Sequence, residues 1–145
     1  MKKLAIYRQL LCKIGLWMLR KTEFLPGVAA KLPVESETAE KIEKWKLERG
    51  WAEECNMHEA AARIGISKDE LSLYFRHTFK KSFLQWRKEM RISEAKRLLL
   101  EDYSVSATAV GEAVGISDKS NFRHQFKELT GLTPAQWRLK HKPHV

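Results

Sequence analysis

The sequence predicts an all-α fold, two helix–turn–helix units joined by a long connector helix. Three observations carry that expectation. A segment near residue 60 recurs about fifty residues later. Each copy carries helix-start signals at matching places. Seven glycines and four prolines in 145 residues leave too little punctuation for a many-turned β-sandwich. The length fits one domain, or one domain and an appendage. A chain 43% hydrophobic and 31% charged has an ordinary globular mix, which excludes disordered and collagen-like classes.

In chain order, residues 1–35 form a basic segment with 7 Lys/Arg against 2 acidic residues. Within it Leu4, Tyr7, Leu11, Ile14 and Met18 recur at spacings of 3, 4, 3 and 4, the pattern of an amphipathic helix. Arg8, Gln9 and Lys13 interrupt the apolar run. No stretch therefore approaches the roughly 20 apolar residues of a spanning helix, and no signal-peptide cleavage pattern follows. The stripe suits packing on the chain's own domain, a partner protein or a second subunit. Its basic flanks also suit an anionic membrane surface. Pro26-Gly27 and Pro33 mark a boundary. A helix is then expected from about Ser36 to Arg49, with Ile42 and Trp45 in the core and Gly50 as its C-cap.

The repeat follows. Ala61-Ala62-Arg63-Ile64-Gly65-Ile66-Ser67 aligns with Gly111-Glu112-Ala113-Val114-Gly115-Ile116-Ser117. One inserted residue later, Lys68 matches Lys119, Phe75 matches Phe126, and Gln85-Trp86-Arg87 matches Gln136-Trp137-Arg138. In the first copy Asn56-x-x-Glu59 and Ser67-x-x-Glu70 are capping boxes that open two successive helices. Between them Gly65 takes the positive φ that ends the first helix in a tight turn. Ala61, four residues earlier, is small enough for the two helices to cross closely. Leu71, Tyr74, Phe75 and Thr78 are expected on the buried face of the second helix. In the second copy Gly111 and Gly115 hold the same two places. Ser106 is the expected N-cap of the first helix, the second begins near Ser117-Asp118, and Phe122 and Phe126 point inward.

A shared segment closes each unit. Ser82-x-x-Gln85 and Thr133-x-x-Gln136 are capping boxes, the second with Pro134 at the first helical position. The first opens a helix expected over 82–101, with Ile92, Ala95, Leu98 and Leu99 on its apolar face. Such a helix is about 30 Å long, close to one DNA turn of roughly 34 Å.

Charge points the same way. The net +9 suits a polyanion or an anionic membrane surface. Residues 56–145 hold 16 basic and 10 acidic residues, whereas residues 36–55 hold 4 and 6. A basic doubled helix–turn–helix favours nucleic acid. The rival readings are a basic helical module for a membrane surface or partner protein, and the tail of a larger regulator. An enzyme is not expected. Cys12 and Cys55 have neither zinc-ligand nor disulfide-framework spacing, which fits a reduced cytosolic setting. Cys55 with His58 three residues on is better explained structurally than as a nucleophile. No glycine-rich phosphate loop, metal cluster or catalytic carboxylate pair is visible, so no metal or cofactor is expected.

From about Asn56 to Arg138 the chain resembles the AraC/XylS family of bacterial transcription regulators. Arg91-Ile92-Ser93-Glu94-Ala95-Lys96-Arg97-Leu98-Leu99 is similar to that family's connector helix. Val114-Gly115-Ile116-Ser117-Asp118-Lys119-Ser120-Asn121-Phe122-Arg123-His124-Gln125-Phe126-Lys127 and Gly131-Leu132-Thr133-Pro134 are similar to its second-unit signature. The resemblance implies a seven-helix domain of two homeodomain-like units that reads two successive major-groove segments of double-stranded DNA. Carried over by position, Asp69, Ser72 and Leu73 face bases from the first recognition helix, and Lys119, Ser120, Asn121 and His124 from the second. Lys68, Arg76, Arg123 and Lys127 are assigned to phosphates, and Gly65 and Gly115 to the turns. Chemistry suits the second set better: Lys donates to guanine O6/N7, Asn pairs with adenine, and Ser serves either. Asp69 repels phosphate unless it accepts from a cytosine amino group, and Leu73 suits a thymine methyl. The first copy departs from the second at Lys80, opposite Gly131, and at Phe83, opposite Pro134. It is accordingly expected to contribute more backbone positioning and less base reading.

The implied layout is a basic amphipathic segment over 1–35, a DNA-binding domain over 36–140 (first unit about 56–81, connector 82–101, second unit about 106–131), and a tail over 141–145. RNA polymerase is the expected second partner, and the cytoplasm, at the nucleoid, the expected location. With no ligand-sensing segment visible in residues 1–35, control is expected through abundance or through the partner of that segment.

Overall fold

The computed structural model describes residues 36–142, and the expectations for residues 1–35 and 143–145 lie outside them. Among the described residues there are seven α-helices and a 3₁₀ turn, and no strand. The order is α1 Ser36–Leu47, the turn Gly50–Ala52, α2 Met57–Ile64, α3 Lys68–Phe79, α4 Phe83–Glu101, α5 Ala107–Ala113, α6 Lys119–Thr130 and α7 Pro134–His141.

The helix starts are set where the capping residues stand. Asn56 with Glu59, Ser67 with Glu70 and Thr133 with Gln136 form complete reciprocal boxes. Ser106 and Asp118 cap α5 and α6 by accepting from the backbone N–H three residues on. Each such cap contributes about 1 kcal/mol. The Ser82 box is only half formed. Ser82 Oγ accepts from the Gln85 N–H at 3.2 Å, but the Gln85 side chain donates to Glu89 at 2.9 Å instead of turning back. The charge-assisted bond to the carboxylate one turn ahead is stronger than the neutral bond that the Gln85 oxygen would accept from the Ser82 N–H.

Two hydrophobic cores result, and α4 serves both. Its first turn supplies Phe83 and Trp86 to a core with Ile42, Trp45, Trp51, Ala60, Leu71 and Phe75. Its second half supplies Ile92, Ala95 and Leu99 to a core with Val110, Val114, Phe122 and Phe126. Removing a fully buried ring such as Phe75 or Phe126 costs about 3–5 kcal/mol.

The repeat also has a common architecture. Trp86 lies 4.7 Å from Phe75, and its counterpart Trp137 lies 6.0 Å from Phe126, by ring centroids. Arg87 donates to the Cys55 carbonyl at 2.7 Å, and its counterpart Arg138 donates to the Val105 carbonyl at 2.5 Å. Both carbonyls belong to the residue just before the cap of that unit's first helix. The shared Gln-Trp-Arg thus supplies a ring under the second helix and a clamp on the start of the first.

Two expectations are corrected. The first helix ends at Leu47, and Arg49, not Gly50, takes the left-handed conformation, at φ 62. Gly50 is required for a different reason: a Cβ there would lie 2.0 Å from Nε1 of the Trp45 indole. Thr78 is exposed, and Phe79 turns inward instead, stacked on Phe75 at 5.5 Å. The core below the last turn of α3 is an aromatic cluster, and the ring fills it better than a hydroxyl. α1 is tied to this unit by two hydrogen bonds: Tyr74 OH donates to Glu43, and Thr38 Oγ1 donates to Glu70 Oε1 at 3.1 Å.

Candidate nucleic-acid interface

Each unit presents its second helix, α3 or α6, in the same way. Gly65 closes α2 at φ 82 and Gly115 follows α5 at φ 81, so both turn glycines stand in the left-handed region as expected. The N–H of Ile66 bonds to Ala61 O at 3.0 Å, and that of Ile116 to Gly111 O at 2.8 Å. The small residue four before each glycine therefore lies under the turn. A Cβ on Gly111 would come within 3.0 Å of the Phe122 ring.

At 3.6 residues per turn, the α6 positions Ser120, Asn121, Arg123, His124 and Lys127 fall on the side away from Phe122 and Phe126, and Lys119, seven residues before Phe126, stands at the edge of that side. All six are exposed. On α3 the matching arc holds Lys68, Asp69, Ser72, Leu73 and Arg76. All are exposed except half-buried Ser72, and Leu73 is 42% exposed. Among the described residues, Lys68, Arg76, Lys119, Arg123 and Lys127 stand in no ion pair, and the same holds of Lys80, Lys96, Lys140 and Lys142, whereas Lys88 pairs with Glu128 and Arg49 with Glu94. Cations left without acidic partners on an exposed helix face are free to meet a polyanion.

The α3 start is held firmly. Glu70 Oε2 accepts from the Ser67 N–H at 2.7 Å and Oε1 accepts from Thr38. These bonds, the Ser67 N–H first, hold its carboxyl below the usual glutamate range. Glu70 is committed to this cap, and Asp69 is left facing outward in the first turn. On α6, Gln125 Nε2 donates to Asn121 Oδ1 at 2.8 Å. That fixes the orientation of the Asn121 carboxamide on an exposed position of α6. Gln125 was missed in the sequence; its signal is the amide pair four residues apart.

A second group of residues fixes the two units against each other. The Arg91 guanidinium, on α4, donates to the Trp51 carbonyl at 2.7 Å and the Glu53 carbonyl at 2.6 Å. Burial and then the neighbouring Arg87 charge push its pKa down to about 10, so it stays protonated at neutral pH. Gly115 rests on this turn, where a Cβ would lie 2.1 Å from Ala52 O. Ser117 Oγ donates to Glu54 at 2.7 Å, and Lys88 on α4 pairs with Glu128 on α6 at 3.0 Å. The 19-residue α4 spans about 28 Å, and these contacts brace it from both sides.

Among the described residues no cluster of three or more His, Cys, Asp or Glu side chains could hold a metal. No helix among them is long and apolar enough to cross a membrane. Cys55 is half-buried, with its carbonyl and Sγ both against Arg87 Nη1. It belongs to the clamp of the first unit.

A profile of the helix-turn-helix domain matches residues 60–140. The arabinose operon regulatory protein of Salmonella typhimurium is 38% identical over 78 residues, covering 54% of this chain and 27% of that protein. The chain thus spans about a quarter of the length of that relative. The DNA-binding domain of the global transcriptional factor AdpA, solved with a target DNA, superposes with a TM-score of 0.65 at 27% identity, covering 74% of this chain and 95% of that one. An AraC-type regulator of Chromobacterium violaceum shares the fold, with a TM-score of 0.59 at 23% identity, over 74% of this chain and 95% of that one.

Proposed function

This chain belongs to the AraC-type helix-turn-helix family, and from that premise we propose that it is a sequence-specific DNA-binding regulator of transcription. It reads two successive major-groove segments with α3 and α6. The observation that carries this reading is the pair of equivalent exposed arcs, one on each helix, with cations unpaired among the described residues and α4 anchored in both cores. One chain then supplies the paired reading that single helix–turn–helix proteins obtain by dimerising.

Lys119, Ser120, Asn121 and His124 read bases from α6, with Asn121 held for adenine by Gln125. Arg123 and Lys127 hold phosphates. On α3, Lys68 and Arg76 hold phosphates, Leu73 meets a thymine methyl, and Asp69 and Ser72 complete a less informative set. Residues 36–140 are the DNA-binding module, and residues 1–35 carry a separate partner contact. Regulation at such a site brings in RNA polymerase as the second partner and places the protein at the nucleoid.

The test is duplex binding across a salt series. Log affinity should fall linearly with log salt as counterions are released. Arg123→Ala should weaken every duplex alike. Asn121→Ala should cost about 1–3 kcal/mol at chiefly one base pair. If affinity were independent of salt, or if Asn121→Ala weakened all sequences equally, the reading would fail.

A further inference from the structure

An open cleft of about 320 Å³ lies between α4 and α6, lined by Ser82, Gln85, Arg87, Lys88, Arg91 and Gln125 among others, and no acidic residue lines it. Gln125 is the residue that holds Asn121, and both Asn121 and Gln125 also line the adjoining cleft. The cleft therefore opens beside the base-facing arc of α6.

Its charge is incompletely compensated. Lys88 is paired with Glu128. Arg87 and Arg91 have no carboxylate partner in an ion pair among the described residues; their hydrogen bonds go to Cys55, Trp51 and Glu53 backbone carbonyls and, at 3.7 Å, the Cys55 sulfur. Arg87 is only 8% exposed, yet just one of its nitrogens donates among the described residues, and its guanidinium lies over the Phe83 ring. Its counterpart Arg138 shows what a purely structural arginine does here: it clamps the Leu99, Asp102 and Val105 carbonyls. Arg91 has taken over two such clamps in the first unit, which leaves Arg87 with donors to spare at the cleft. No Arg87 nitrogen is a buried atom left without a partner among the described residues, so its unused donors open to the cleft, where an anion would gain charge-assisted hydrogen bonds.

We propose that this cleft is a phosphate site for the DNA backbone between the two boxes read by α3 and α6, with Arg87 as its principal donor. The proposal rests on the DNA-binding reading and adds a contact to it. The site positions the duplex and carries no base information.

The experiment uses the full chain and a duplex it binds, with single uncharged methylphosphonates placed in turn at each phosphate between the boxes. Arg87→Gln keeps a donor for the Cys55 carbonyl, and Arg87→Lys keeps the charge. Wild type should lose several-fold in affinity at one or two methylphosphonates, and Arg87→Gln should lose a similar factor on the natural duplex. The two losses should not add when combined. The salt slope of Arg87→Gln should fall by about 0.9, one phosphate's worth, with base preference unchanged, and Arg87→Lys should recover most of the affinity. A flat methylphosphonate scan, or losses that simply add, would overturn the site while leaving the DNA reading intact. Thermal protection by inorganic phosphate that depends on Arg87, alongside a flat scan, would assign the cleft to a small anion and overturn the DNA-backbone assignment. Failure of wild type to bind any duplex would overturn both.

Discussion

Gly65 and Gly115 hold the same place in the repeat, share the same φ, and should nonetheless respond very differently to alanine. At Gly65 a Cβ meets nothing within 4 Å, so the substitution carries only the left-handed strain at φ 82. That strain is about 1–2 kcal/mol, and the stiffer unfolded chain returns about 0.4–1 kcal/mol, leaving roughly 1 kcal/mol net. At Gly115 the same methyl would lie 2.1 Å from Ala52 O and 2.9 Å from the Arg91 guanidinium, where ordinary contact begins at 3.4 Å. The two units would have to part by about an ångström. Overpacking of this kind costs about 1–3 kcal/mol, and weakening the Arg91 bonds to Trp51 and Glu53 adds about 1.5–3 kcal/mol. With the same net strain of roughly 1 kcal/mol added, Gly115→Ala should therefore cost about 3.5–7 kcal/mol, a large part of the 5–15 kcal/mol typical of a domain. At about 4–8 °C per kcal/mol, helical circular dichroism should show a drop of about 4–8 °C for Gly65→Ala and more than about 12 °C for Gly115→Ala. Equal drops, or a milder Gly115→Ala, would refute the close packing of the second turn on the first unit.

Lys80 closes α3 at φ 56 where the second unit has Gly131 at φ 76, so Lys80→Gly should raise the urea midpoint by the equivalent of about 1 kcal/mol. Arg138→Ala removes three bonds to carbonyls at the end of α4 and the approach to α5. It should destabilise by at least about 2 kcal/mol, read as a lower urea midpoint. The Glu94 carboxyl is held below its ordinary 4.5, first by hydrogen bonds from Arg97 and then by the Arg97 and Arg49 charges. A depressed folded pKa stabilises above the ordinary glutamate range, and that contribution is lost as pH falls through the folded value. Glu94→Gln should accordingly destabilise at neutral pH and leave a shallower fall of stability into acid, measured by urea titration at a series of pH values.

What the sequence disclosed was local: caps, turn glycines and inward aromatics depend on residues within a turn or two of each other. The boxes at Asn56, Ser67 and Thr133 and the positive φ at Gly65 and Gly115 are of that kind. What it concealed depends on residues far apart. Gly50 resembled a C-cap because nothing nearby announces that Trp45 lies across it. The Gln-Trp-Arg repeat was visible, but its task was not, because the carbonyls of Cys55 and Val105 lie 32 and 33 residues from Arg87 and Arg138. The seam of Arg91, Gly115 and the Ser117–Glu54 bond was hidden for the same reason. For the interface, the family resemblance supplied the outward residues of α3 and α6, and helical periodicity only the inward rings opposite them. Gln125 was passed over because an i,i+4 amide pair acts through its neighbour.

Selection of bound sites from random duplex DNA tests the central claim most directly. One chain reading with α3 and α6, held by α4 and the seam, should return two short boxes at a single spacing of about one helical turn. Asn121→Ala should blur one position in one box only. Recovery of a single box, or of two boxes at freely varying spacing, would contradict a rigid bipartite reader.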